Sequence, residues 1–370
     1  MQVVHQFLPT PLVPRDAVGT HTRRVHQVLT GAGIDGRVWA GPLTEGDSPD
    51  GDVGAWKDFA WTEAGGAGLY QTYVGGGALV DLLLERSEPL GLYYHNFTPG
   101  ELLRKFDPET AGLMEQGRDE LRRLAPRVRL ALAPSEFNAT ELRSVGIRDV
   151  RIMPPYSADP LVSADPEYED GLRATKRGLD ILFVGRVAPN KGHALLTQVA
   201  AVLAAGYDRP LRCFCVGRTG PASYMFALNG LRDRLGVRDQ VIFTGSVSEG
   251  RLAAHYRTAD LFVCLSEHEG FCLPVQEAMR AALPVVAYSA GAVPETLGDA
   301  GVLLRTRDPL IVAGALDRLA SDETLRSSLR VREVARAREL DEFDRDGILL
   351  RAIHDLGVGQ EALRAANPTG

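Results

Sequence analysis

Lysine is nearly missing from this sequence: of 41 basic side chains, 4 are lysine and 37 arginine. The bias looks like that of a GC-rich genome and carries little chemistry, but it makes each lysine conspicuous. An excess of basic charge is missing too. The formal balance of −7 argues against nucleic acid as a main partner. Residues 1–165 alone hold 16 basic against 22 acidic side chains, so the stretch Arg118–Arg129 reads as a solvated helix face rather than a membrane patch. No run of eighteen apolar residues occurs, and the start lacks a basic region followed by an apolar one. A cytoplasmic protein with weak or no membrane association is therefore expected. Cysteine is scarce: four residues, none in C-x-x-C spacing. Cys213 and Cys215 alternate along a strand pattern and Cys264 lies in an apolar run, so buried thiols are expected, not a disulfide framework or a zinc site.

What is present fits a soluble α/β protein. An apolar fraction of 45% and a charged fraction of 24% are ordinary, and 370 residues exceed one usual core, so two domains are expected. Strand patterns recur at Met1–Leu8, Asp35–Ala40, Gly68–Val74, Leu90–Tyr94, Val128–Leu132 and Asp149–Ile152. Helical patterns fall between them, from Gly19 to about Thr30 and at Ala78–Arg86, Pro108–Leu124 and Ser135–Ser144. Residues 42–66, with Trp56 and Trp61, show no clear period and read as an irregular excursion. Pro154, Pro155, Pro160 and Pro166 mark a boundary. A second series of strands follows at Ile181–Val184, Leu211–Val216, Val241–Thr244, Leu261–Leu265, Pro284–Ala287 and Gly301–Leu304. Alternating elements imply parallel sheets covered on both faces. Helices run from about Pro309, Gly347 interrupts them, and a last amphipathic stretch begins at Ile348.

Two motif matches fail on context. Gly31-Ala-Gly-Ile-Asp-Gly36 has the letters of a dinucleotide fingerprint but follows a helix and precedes a strand, the reverse of what that fingerprint needs. Gly185-Arg-Val-Ala-Pro-Asn-Lys-Gly192 lacks P-loop spacing.

The stretch Ser266–Met279 is the most informative. A buried strand ends, the chain turns at Gly270, and Pro274 sits where a first-turn proline is tolerated. Backbone N–H groups at such a turn form an anion site. Glu269 and Glu277 would flank it with acceptor-only carboxylates, suited to sugar hydroxyls. Arg186 and Lys191, on the loop leaving the first strand of the second series, could together neutralise a diphosphate. In the first half, His95 leaves a strand in Tyr94-His-Asn-Phe-Thr-Pro99, with Thr98 and Glu101 spaced as a capping box that would open a helix. His5 is a weaker candidate of the same kind, and His268 is expected to shape its loop.

These pieces together, Glu269-x7-Glu277 within E-G-F-x-L-P-x-x-E-A-M, G-R-x-x-P-x-K-G, Gly19 and His95, resemble the GT4-type family of retaining glycosyltransferases of the GT-B fold. The opening His5–Pro9 and the Asp16–Gly19 turn resemble a bacterial branch. The resemblance implies two Rossmann-like doubly wound domains facing across a cleft. Residues 1–165 would be the acceptor-side domain and 172–347 the nucleotide-sugar-binding domain, with a helix from about 348 to 370 packing back on the first. It further implies that Glu277 accepts from ribose hydroxyls and that Val247 meets the base. Arg186 and Lys191 would hold the diphosphate. Glu269 would contact the sugar beside the amides of Gly270, Phe271, Cys272 and Leu273. A loop at Gly19 would approach the phosphates, and His95 would contact the transferred sugar or its oxyanion. Closure of the domains would bring His95 toward Glu269. The implied partners are a nucleotide-diphosphate sugar, which is a co-substrate rather than a cofactor, and a small-molecule or glycan acceptor. With no D-x-D-like pair at a site position, no metal is expected. The chain departs from the family at Tyr70–Gly77, where relatives tend to have histidine near Gln71. Rival readings are a nucleotide-sugar epimerase or hydrolase on the same architecture, or a non-catalytic partner subunit.

Overall fold

A computed structural model describes residues 3–12, 16–41, 52–60, 66–157, 165–206 and 210–358. The chain divides into two compact units, one of residues 1–99, 110–158 and 343–370, the other of 100–109 and 159–342. Residues 42–51, Trp61, Pro160 and the last part of the expected C-terminal helix lie outside the described residues.

The first unit contains β1 (Val4–Phe7), α1 (Ala17–Gly31), β2 (Val38–Ala40), β3 (Val53–Ala55), β4 (Ala67–Thr72), α2 (Ala78–Glu85), β5 (Leu90–Tyr94), α3 (Pro108–Leu124), β6 (Val128–Ala133), α4 (Glu136–Ser144) and β7 (Val150–Ile152). Its parallel sheet has the order β3-β2-β1-β4-β5-β6-β7. Every residue of β4 and β5 is buried, as a parallel sheet with both faces covered requires.

The second unit contains α5 (Pro166–Thr175), β8 (Leu179–Val184), α6 (His193–Gly206), β9 (Leu211–Val216), α7 (Ala222–Arg234), β10 (Val241–Gly245), α8 (Glu249–Thr258), β11 (Leu261–Cys264), α9 (Leu273–Arg280), β12 (Val285–Tyr288), α10 (Val293–Leu297), β13 (Val302–Leu304), α11 (Pro309–Ser321) and α12 (Glu323–Asp341). Its sheet runs β10-β9-β8-β11-β12-β13, the same winding as the first. Separate apolar clusters fill its two faces: Ile181, Val199 and Val263 belong to one, Leu182, Phe262 and Val275 to the other. The last described helix, α13 (Arg345–Asp355), belongs to the first unit. There Leu349, Ala352, Ile353 and Leu356 join the cluster of Val25, Leu69 and Tyr93.

Local chemistry explains most helix starts. The side chains of Asp16, Ser135, Asp165, Ser248, Asp308, Asp322 and Asp344 accept from N–H groups in the first turns of α1, α4, α5, α8, α11, α12 and α13.

Four expectations need correction. Residues 42–66 are not irregular throughout, since β3 adds an edge strand. Thr98 and Glu101 open no α-helix; Gly100–Leu102 is a short 3-10 turn and the helix starts at Pro108. The proline-marked boundary conceals α5, where Pro166 follows the Asp165 cap and Tyr168 OH lies 3.1 Å from His255 Nε2 of α8. Gly347 does not interrupt a helix but sits in the first turn of α13, donating its N–H to Asp344 at 2.9 Å.

Candidate functional site

In a doubly wound sheet, ligands bind beyond the carboxyl ends of the strands, where the strand order reverses. In the second unit that point lies between β8 and β11, and the two loops leaving these strands meet there. Lys191 Nζ donates to Glu269 Oε1 at 2.6 Å, with both side chains partly buried. Burial alone would push the lysine down, but the Glu269 carboxylate outweighs it and holds the ammonium above the ordinary lysine range.

Three neighbours set this pair. Gly192 adopts φ +87°, and a Cβ there would come within 2.4 Å of the Leu265 carbonyl oxygen; only glycine allows so close an approach. The Glu267 N–H donates to Asn190 O at 2.7 Å, tying the loops a second time. From the other side, the loop after β12 brings Gly291 so close that a Cβ would lie 2.3 Å from Glu269 O, and Ala292 N–H donates to that oxygen at 2.9 Å. The roles of Gly192 and Gly291 escape sequence reasoning, because the contacts that demand glycine are long-range.

Helix α9 begins differently from its neighbours. Its N-cap, Cys272, is in the left-handed conformation (φ 75°, ψ 68°), and no side chain caps the helix. The backbone N–H groups of Phe271, Cys272 and Leu273 find no acceptor among the described residues. Orphan donors at the positive end of a helix favour an anion. The Phe271 carbonyl accepts from Thr296 Oγ1 of α10, which anchors the turn. One turn into α9, Glu277 accepts from Tyr256 OH at 2.7 Å.

Arg186 is the second cation expected at this loop. It lies on the same loop as Lys191, with Arg218 and Asp107 as charged neighbours, and burial together with the Arg218 guanidinium pulls it below the ordinary arginine range. Arg218, one residue past the close approach of Gly217 to the Gly185 carbonyl, was not singled out from sequence. Val247 follows the edge strand β10 and packs against the cluster of Phe214 and Phe262. Sγ of Cys264 and Sγ of Cys272 are 3.6 Å apart, and with a Glu269 oxygen they form a group of possible metal ligands whose atoms lie within 4.8 Å of one another. The Lys191 ammonium already sits against that carboxylate, so a cation is built into the cluster and a divalent ion would have to expel it.

The other two expected site residues belong to the first unit. Gly19 is not in a loop; it is buried in the first turn of α1, where its N–H is capped by Asp16. His95 follows β5 directly. Burial pushes its imidazole down to about 3, so it is neutral at physiological pH. His5 is structural: Nδ1 accepts from Arg37 N–H at 3.2 Å and the ring packs edge-on against Trp39 and Phe59.

The chain has the GT-B fold. It superposes on sucrose-phosphate synthase from Thermosynechococcus elongatus with a TM-score of 0.78 at 17% identity, covering 99% of this chain and 100% of that one. The Anabaena protein HepE in complex with UDP-glucose superposes with a TM-score of 0.70 at 18% identity, covering 96% and 99%. Residues 165–338 match the family described as glycosyl transferases group 1. D-inositol 3-phosphate glycosyltransferases are similar in sequence: that of Corynebacterium diphtheriae is 34% identical over 159 residues, 42% of this chain and 37% of that protein. That of Acidothermus cellulolyticus is 34% identical over 183 residues, 45% and 40%. The match spans about two fifths of the length of these relatives. The family match falls within the second unit of this chain, the same part of the protein for which the fold of the solved neighbours places a parallel doubly wound sheet. Among the described residues, no helix is long and apolar enough to cross a membrane.

Proposed function

We propose that the protein transfers a hexose from a nucleoside-diphosphate sugar to a hydroxyl of a small molecule or glycan, with retention of anomeric configuration and without a metal. The observation that carries this reading is the Lys191–Glu269 pair beside three unpartnered backbone N–H groups at the start of α9. Those donors and the ammonium suit pyrophosphate oxygens, and Glu269 and Glu277 offer acceptors to sugar and ribose hydroxyls. Gly19, His95 and Val247 enter this reading only through the family resemblance.

In the reaction, the bond from the anomeric carbon to the phosphate oxygen breaks. The acceptor oxygen attacks the same face, and its proton passes to the departing phosphate. Negative charge grows on that phosphate as the bond breaks, and Lys191, Arg186 and the α9 amides stabilise it there. These cations do the charge work that a metal does elsewhere.

The test is a thermal-shift panel of uridine, guanosine, adenosine and thymidine diphosphates on the full chain, since a ligand of the native state raises its melting temperature. One diphosphate should stabilise the wild type, and Arg186→Ala should weaken the shift and abolish transfer while the fold persists. Unchanged turnover in that variant overturns the site. Activity lost in EDTA and restored by magnesium contradicts metal independence. Rapid consumption of donor without acceptor identifies an epimerase or hydrolase instead.

A further inference from the structure

The first sheet also has a point where its strand order reverses, between β1 and β4, and a chain of buried amides crosses it. Gln6 on β1 and Gln71 on β4 lie on one face, because Gln6 pairs with Leu69 and Gln71 is two residues further on. Gln71 pairs with Tyr93 on β5, and His95 is two residues beyond Tyr93, again on that face. The three side chains form a relay. Gln6 Nε2 donates to the Thr22 carbonyl at 3.3 Å, Gln71 Nε2 donates to Gln6 Oε1 at 2.9 Å, and His95 Nε2 lies 2.9 Å from Gln71 Oε1. Gln6 and Gln71 are fully buried, so water does not substitute for any link.

Each direction in this relay is fixed by the one before it. A backbone carbonyl only accepts, so Gln6 must turn its NH2 to Thr22 and its oxygen to Gln71. Gln71 must then donate to Gln6 and present its own oxygen to His95. An amide oxygen also only accepts, so His95 Nε2 must carry the proton. We propose that Gln71, oriented by Gln6, is a positioning residue that holds His95 in the Nε2–H tautomer, so that His95 meets its ligand through Nδ1 as a neutral hydrogen-bond acceptor.

The surroundings oppose any second proton on the ring. His21 packs edge-on to His95, with ring centroids 5.0 Å apart. Its own Nδ1 accepts from Tyr156 N–H at 3.2 Å, so His21 carries its proton on Nε2, which is buried without a partner. Nearby Arg345 adds a positive charge that disfavours an imidazolium at His21.

A lone pair at Nδ1 accepts from a hydroxyl and repels an oxyanion. His95 is therefore suited to a sugar or acceptor hydroxyl, not to a phosphate or a developing oxyanion, and it does not serve as a proton donor. The tautomer rests on the geometry of the first unit alone; its bearing on catalysis rests on the proposed glycosyl transfer.

The test is long-range proton–nitrogen NMR on the full chain labelled with 15N-histidine, with His95→Gln assigning the signal. His95 should show a protonated Nε2 and a bare Nδ1 from about pH 6 to about pH 8, without the titration of a free histidine. A protonated Nδ1, or an imidazolium at neutral pH, overturns the proposal, and this readout on the wild type needs no variant to fold. Gln6→Leu frees the Gln71 amide to rotate, so it should create an Nδ1–H population at His95 without touching that ring. A tautomer unchanged in both Gln6→Leu and Gln71→Leu removes the positioning role. Gln71→Leu should lower kcat/KM roughly 3- to 10-fold, the worth of one neutral hydrogen bond, with the nucleotide thermal shift intact. An Nε2–H signal with no transferase activity toward any donor would keep the tautomer and sink the function instead.

Discussion

At the scale of the residue, the Lys191–Glu269 pair poses a conflict between stability and function. A partly buried ion pair gains little net energy over apolar groups, yet removing one partner strands the other. Lys191→Ala is expected to cost about 1–3 kcal/mol, less than a fully buried pair because both side chains keep some exposure. Adding Glu269→Gln should recover most of that stability without restoring nucleotide binding; chemical denaturation with calorimetry of the double variant checks both halves. Recovery of binding in the double variant would show that Lys191 serves only its partner.

A second residue gives a pH signature. Glu333 on α12 is fully buried and accepts from Val285 N–H at 2.8 Å. Burial raises its carboxyl to about 8, against weaker opposing effects from that hydrogen bond, Arg330 and Arg332. The folded chain thus binds this proton more tightly than the unfolded chain. Its stabilising effect is complete below the unfolded value of 4.5 and is lost as pH rises through about 8. Glu333→Gln should match the wild type near about pH 5 and melt progressively higher than it toward about pH 8. A constant difference between the two melting curves would contradict the shift.

At the scale of the element, the site is three loops held together by glycines and main-chain bonds. Gly192→Ala puts a side chain on a left-handed residue and into the Leu265 carbonyl. A loss of about 2 kcal/mol or more is expected, with weaker nucleotide binding because Lys191 is displaced from Glu269. Thermal melts with and without nucleoside diphosphate read both effects. If Gly192→Ala melts like the wild type, the loops are not held as described. The helix α9 start belongs to the same scale. Seven helices are capped by an Asp or Ser side chain, whereas α9, like α2, α7 and α10, has no side-chain cap; at α9 the open donors lie beside Lys191 and Glu269, where a ligand can supply the cap. Much of this was visible beforehand. The β11–α9 junction and the E-x7-E pair follow from local periodicity and a first-turn proline. The capping box at Thr98 and Glu101 failed because its spacing is a weak local signal. The chain there leaves one unit for the other, with Phe106 packing on Val187 and Tyr224, and tertiary contact overrides the local preference.

At the scale of the whole molecule, the last described helix completes a unit begun more than three hundred residues earlier. Removing residues 343–370 exposes the sheet face that Leu349, Ile353 and Leu356 cover. The burial lost is on the order of 5–10 kcal/mol, comparable with the entire stability of a domain. A chain ending at Glu342 should therefore lose the first unit to limited proteolysis while a fragment near 159–342 survives. Equal protection of both units would refute that dependence.

Sequence by itself determined the alternation of strands and helices, and through it the parallel, doubly wound character of both units. It also determined which loops carry the cations and carboxylates. These are short-range properties, written in periodicity, prolines and glycines within a few residues of one another. Only the tertiary structure decided that Lys191 spends its charge on Glu269, that Gly192 and Gly291 are needed where they stand, and that Gln6, Gln71 and His95 form one directed chain. Those partners lie 22 to 78 residues apart. A contact between distant residues is fixed by strand order and register, which no local pattern encodes.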